Sequence, residues 1–178
     1  QGHAVARLPQ GGFYFEPVAF PLADIQDPSE LDQYQDQFDT YDMPAIFDEG
    51  FEALAARGKK LYEKTDYAIV GNFLVHLLTA GQLMRSYDNF LVDLMVNKPL
   101  AHGILERLIE VYKKRVDRYL DAVNPYIQLI LVNDDLGSQT GPMLSPDVYR
   151  EMILPYQKQL FGYIKERTDA KLLLHSCG

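Results

Sequence analysis

Apolar positions along the chain change period several times, and these changes mark its elements. From about Asp48, the residues Phe51, Leu54, Ala55, Gly58 and Leu61 recur at three- and four-residue spacing, which predicts an amphipathic helix. Lys59, Lys60 and Lys64 fall toward its end, where the helix dipole favours cations. Tyr67 to Gly71 is a short apolar run without alternation, as expected for a strand covered on both faces. A second helix is predicted over residues 73–86, and a third from Asn89 to Val96 with Asp88 as its N-cap. Pro99 restarts the chain into a long helix that carries Leu100, Ile104, Leu108, Val111, Arg115 and Tyr119 on one face. Ile127 to Val132 is a second unbroken apolar run, and it stops at Asn133-Asp134-Asp135. Ser145-Pro146-Asp147 joins a good N-cap to a proline at the first helical position. The helix it opens continues through Met152, Tyr156, Leu160 and Ile164, with a kink expected at Pro155. Lys171 to Ser176 completes the pattern as a third strand of buried type.

Residues 1–47 are rich in Pro, Gly, Asp and aromatics, with short apolar runs such as Phe13-Tyr14-Phe15 and Val18-Ala19-Phe20, and predict a loop-rich entry segment with room for a short hairpin. Within it, Asp27 and Pro28 have the chemistry to open a short helix. Residues 48–178 read as β/α units. Apolar strands separated by helices imply a parallel sheet with helical crossovers, hence an α/β fold in one domain over residues 1–178. Pattern alone leaves two architectures, an open doubly wound sheet and a closed barrel. A complete barrel needs about 250 residues, so the 178 residues here are expected to be a piece of one. Such a piece, with open strand edges, is expected to be poorly stable alone.

The formal net charge of -8 argues against a nucleic-acid partner, which calls for a basic face. No run approaches the roughly 20 apolar residues that span a bilayer, and no secretory signal pattern opens the chain. The single cysteine, Cys177, excludes an internal disulfide and suits a reducing, cytoplasmic setting.

Two strand ends carry candidate chemistry, and both α/β architectures bind ligands there. At the first, Asp134 and Asp135 project in roughly opposite directions, so one of them can face a pocket as a general base or a partner for N–H donors. The pair can also be a turn, since Asp bonds nearby backbone N–H groups. At the second, His175 and Cys177 share one face of a strand. They suit two ligands of a tetrahedral zinc, a Cys–His nucleophile pair, or a buried cysteine beside a hydrogen-bonded histidine. Gln139 and Tyr156 are further candidates for contact with substrate or cofactor. His76 is expected in the core or an interface, and His102 at the surface.

The ordered set DDLG, LSP, YR, PY and HSCG between Asp134 and Gly178 resembles the uroporphyrinogen decarboxylase superfamily, as do Thr65–Gly71 and Met84–Leu91. The resemblance covers roughly residues 60–178 and sits nearest the branch of methylcobalamin:coenzyme M and related corrinoid methyltransferases. It implies a (β/α)8 TIM barrel, of which this chain is the central part. It further implies zinc held by His175 and Cys177, with a third ligand from a later cysteine, and a methyl-corrinoid as donor. The partners it allows are a small-molecule substrate, a corrinoid protein and a second copy of the chain. Two alternatives stay open: cofactor-free decarboxylation of uroporphyrinogen, relying on Asp134 or Asp135, and a non-catalytic corrinoid- or tetrapyrrole-binding protein. The arginine-rich N-terminal motif of the decarboxylases is not seen.

Overall fold

The structure is a computed structural model that describes residues 6–40, 50–73 and 75–177. The expected hairpin is present as strands β1 (Ala6–Arg7) and β2 (Glu16–Pro17), paired antiparallel. Phe13-Tyr14-Phe15 lies between these strands and is exposed. A 3-10 turn over Pro28–Tyr34 runs into helix α1 (Gln35–Thr40). Asp27 caps it, accepting from Ser29 N–H, while the Glu30 carboxylate accepts from Asp27 N–H to close a capping box.

Helix α2 (Gly50–Lys64) follows, and the start expected at Asp48 lies outside the described residues. Strand β3 (Val70–Asn72) comes three residues later than the apolar run suggested, and Tyr67 is exposed. The ladder sets this start. Gln128 and Leu129 N–H both donate to Ile69 O, so residues before Ile69 lie beyond the beginning of the neighbouring strand.

Helix α3 (Leu78–Arg85) is shorter than the predicted 73–86. Phe73, Val75 and Leu77 are buried alternate residues, a strand period that a helical reading had absorbed. Phe73 N–H donates to Leu131 O and Asn133 N–H to Val75 O, so this stretch runs on alongside the next strand. Helix α4 (Tyr87–Val96) is capped by Ser86, not by Asp88: the Ser86 hydroxyl accepts from Asn89 N–H. Arg85 between these helices is buried, paired with Asp93 at 2.8 Å, and donates to Leu22 O, which ties the entry segment down.

The long helix α5 (Lys98–Val123) buries all six residues of its predicted face. Strand β4 (Leu129–Asn133) leads to a small antiparallel ladder of β5 (Gly137–Ser138) and β6 (Gly141–Pro142). Helix α6 (Pro146–Val148) is capped by Ser145 as expected. The kink anticipated at Pro155 takes the form of a π turn over Tyr149–Ile153, just before helix α7 (Leu154–Lys165). Proline has no N–H to give and crowds the carbonyl four residues back, so the preceding turn widens.

Strand β7 (Lys171–His175) closes a three-stranded parallel sheet of order β3-β4-β7. The expected burial of β7 is not met: Leu173 and Leu174 are exposed, because among the described residues only β4 flanks the strand. β4 is central, with Ile130 and Val132 fully buried. The parallel sheet with helical crossovers confirms the α/β class, and no closed barrel forms among the described residues. No helix there is long and apolar enough to cross a membrane.

Gly81 lets α3 and α4 approach closely: a Cβ there would lie 2.1 Å from the buried Phe90 ring. Gly81→Ala should therefore destabilise the fold by about 2–3 kcal/mol, read as a lower urea midpoint. An unchanged midpoint would contradict this packing.

Candidate metal centre and its cleft

β4 and β7 run parallel with Asn133 opposite His175, so the two polar motifs leave the sheet side by side. Three bonds then stitch them together. Asp134 N–H donates to His175 O at 3.0 Å, Leu136 N–H to Ser176 Oγ at 3.1 Å, and Cys177 N–H to Asp135 Oδ1 at 2.9 Å.

The adjacent aspartates have different surroundings. Asp134 is only 2% exposed and caps the start of α3, accepting from Leu78 N–H at 3.0 Å and Thr79 N–H at 3.4 Å. Its second oxygen accepts from Gln157 Nε2 at 2.9 Å, and the Tyr149 hydroxyl donates to Gln157 Oε1 at 2.8 Å. Burial pushes the Asp134 carboxyl above its ordinary range, although these donors pull the other way. Desolvation outweighs them because the group lies deep between a strand, a helix end and α7.

Asp135, partly exposed, joins His175 and Cys177, and one donor atom from each lies within 4.8 Å of the others. His175 Nε2 is 3.3 Å from Cys177 Sγ and 3.8 Å from Asp135 Oδ1. Ligand atoms on a tetrahedral zinc are roughly 3.4–3.6 Å apart, given bonds of about 2.0–2.3 Å. One oxygen, one nitrogen and one sulfur at these separations therefore fit zinc with a position left for a further ligand. Hydrogen bonding to Asp135, followed by its charge, raises the Cys177 thiol above its usual range. A cation among the three groups would reverse that bias, because it favours thiolate and carboxylate together. The sequence had pointed beyond Gly178 for a third ligand. Strand register across forty residues of chain brings a further donor, Asp135, beside the pair.

Beside this cluster is a cleft of about 470 Å³, within the range of small-molecule sites. Asp135, Cys177 and Gln139 line it on the strand-end side, and Thr79, Gln82 and Tyr87 come from α3 and the start of α4. Tyr156 does not line this cleft. Its hydroxyl bonds His102 Nδ1 at 2.8 Å across the α5–α7 contact, and burial raises its pKa to about 12. His102 is accordingly half-buried in this contact and not a surface residue. Thr79, Gln82 and Tyr87 were missed from the sequence. Polar residues three apart on an otherwise apolar helix, directly after a strand, were the available signal.

The family model for uroporphyrinogen decarboxylase (URO-D) matches residues 18–178. The chain belongs to the URO-D family. Among solved structures, this URO-D-family chain is similar to a methyltransferase from Methanosarcina mazei, with a TM-score of 0.63 at 16% sequence identity. That likeness covers 97% of this chain and 46% of the other, so the chain spans about half of that structure's length. At this identity the likeness speaks for the fold. Comparison with curated proteins gives no match.

Because burial raises the Asp134 pKa in the folded state, the native protein takes up this proton more readily than the unfolded chain. Wild type should gain stability relative to Asp134→Asn as pH falls through the folded pKa, levelling off at the unfolded value. Unfolding midpoints of both proteins from neutral pH to about 4 test this. A constant difference would show that the donors, not desolvation, dominate.

Proposed function

We propose that this URO-D-family chain forms the metal-binding sector of a (β/α)8-barrel methyltransferase that uses zinc and a methyl-corrinoid to methylate a thiol. The observation that carries the reading is the convergence of Asp135, His175 and Cys177 at adjoining ends of parallel strands. Family membership, the unreversed order β3-β4-β7 and the likeness to a methyltransferase support the barrel sector and the reaction class. Zinc bound by the three side chains would keep an acceptor thiol in its thiolate form at neutral pH.

The chain's own residues divide the remaining work. His175 and Cys177 sit at the end of β7, where the sheet fixes their separation, and Asp135 is positioned by the Cys177 N–H that it accepts. Asp134 does not reach the cleft. It anchors α3, whose face forms the opposite wall, so that the acceptor lies between α3 and the three donors. Holding the thiol in line with the methyl donor is then the main catalytic task. The implied partners are a small thiol and a corrinoid-carrying protein. A centre that depends on a reduced Cys177 suits a reducing, cytoplasmic setting.

The partly exposed Asp135 carboxylate favours a second reading, in which it meets the pyrrole N–H groups of a tetrapyrrole in a cofactor-free decarboxylase. Metal content separates the two. Wild type should carry about one zinc per chain, Cys177→Ser should lose it, and Asp135→Asn should bind it more than about tenfold more weakly. Wild type without zinc, releasing CO₂ from uroporphyrinogen, would overturn methyl transfer in favour of decarboxylation.

A further inference from the structure

Asn133, the last residue of β4, is partly buried, and its side-chain Oδ1 is shut off from solvent with no hydrogen-bond donor among the described residues. A buried acceptor left without a donor is costly. The backbone N–H groups nearby are taken. That of Asn133 donates to Val75 O, that of Asp134 to His175 O, and that of Cys177 to Asp135 Oδ1. The donor for Oδ1 must then come from a side chain or from water.

Strand geometry narrows the choice. Ile130, Val132 and Asp134 alternate on the face of β4 that the helices bury, which leaves Asn133 and Asp135 on the other face. Asn133 stands opposite His175 in the parallel register, so their side chains project to the same side of the sheet. Neighbouring strands lie about 4.8 Å apart, and the χ2 torsions of Asn and His are soft. Rotation about them brings carboxamide and ring within reach of one hydrogen bond. His175 has the complementary need. Its contacts with Cys177 Sγ and Asp135 Oδ1 both use Nε2. A neutral imidazole that offers the Nε2 lone pair carries its proton on Nδ1, and that N–H calls for an acceptor on the protein side.

We infer that Asn133 is a positioning residue: its Oδ1 accepts the Nδ1–H of His175 and so keeps the Nε2 lone pair free towards Asp135 and Cys177. The consequence for metal binding rests on the zinc centre proposed above. The choice of tautomer does not, because it holds in the metal-free protein.

The test reads the ring-nitrogen shifts of isotopically labelled histidine by NMR, in the metal-free chain at a pH of about 9, where imidazole is neutral. The His175 signals are those lost in His175→Gln. Wild type should hold His175 as the Nδ1–H tautomer. Asn133→Leu, close in shape but without an acceptor, should shift it towards the Nε2–H form, whereas Asn133→Asp should retain Nδ1–H. The same proteins are then titrated with cobalt(II), followed by thiolate-to-metal absorption. Asn133→Leu should bind cobalt about tenfold more weakly than wild type, and Asn133→Asp should recover most of that loss. Unfolding midpoints confirm that the variants are folded. An Nε2–H tautomer in wild type, a reading that needs no variant, would overturn the inference. The same tautomer in wild type and folded Asn133→Leu would also overturn it and leave water as the donor. Wild type that binds no cobalt while His175 keeps the Nδ1–H form would overturn the zinc reading and leave the role of Asn133 standing.

Discussion

A single buried carboxylate, Asp134, holds the functional end of this molecule together. The first turn of α3 has N–H groups without partners in its own helix, and the dipole concentrates partial positive charge there. Asp134 answers both needs from the end of β4, and its other oxygen takes the Gln157 amide from α7. One side chain thereby joins the end of β4 to α3 and to α7. Strand alternation then sends the next residue the opposite way. The inward turn of Asp134 is thus the reason that Asp135 stands in the cleft, facing the polar side of α3.

The same arrangement explains how electrostatic conflict is tolerated at the centre. A carboxylate, an imidazole and a thiol are gathered at one point of a chain that is already acidic overall. Hydrogen bonding to Asp135 and the charge of that carboxylate both disfavour the Cys177 thiolate. The backbone bond from Cys177 to Asp135 and the register of β7 hold them close regardless. Such preorganisation against local repulsion is typical of ligand sets that a cation completes.

Legibility in the sequence followed the range of the forces concerned. The face of α5 could be read residue by residue, because burial of a long helix leaves a 3.6 period with little ambiguity. Capping by Asp27 and Ser145 was equally plain, since those bonds span two or three residues. Phe73, Val75 and Leu77 were hidden inside a helical reading, as three alternate apolar residues are too few to oppose a longer pattern. Ser86 displaced Asp88 as a cap because its backbone turns to φ +83°, a conformation that its own sequence does not announce. At the site, each polar motif was visible but their union was not. Register between β4 and β7 is a long-range property, and it alone brings Asp135 to His175 and Cys177.

The π turn at Tyr149–Ile153 sets the rotational phase of everything on its N-terminal side. Leu154 N–H reaches back five residues to Tyr149 O, so this turn contains one residue more than an α-helical turn. Each residue advances an α-helix by about 100°. Shortening the turn by one residue would restore regular helix and swing Tyr149 by about that angle away from the Gln157 amide it now meets. Gln157 would lose one of its two anchors, and with it the firm hold on Asp134. A single extra residue in a helix remote from the cleft therefore keeps the strand-end machinery in angular alignment.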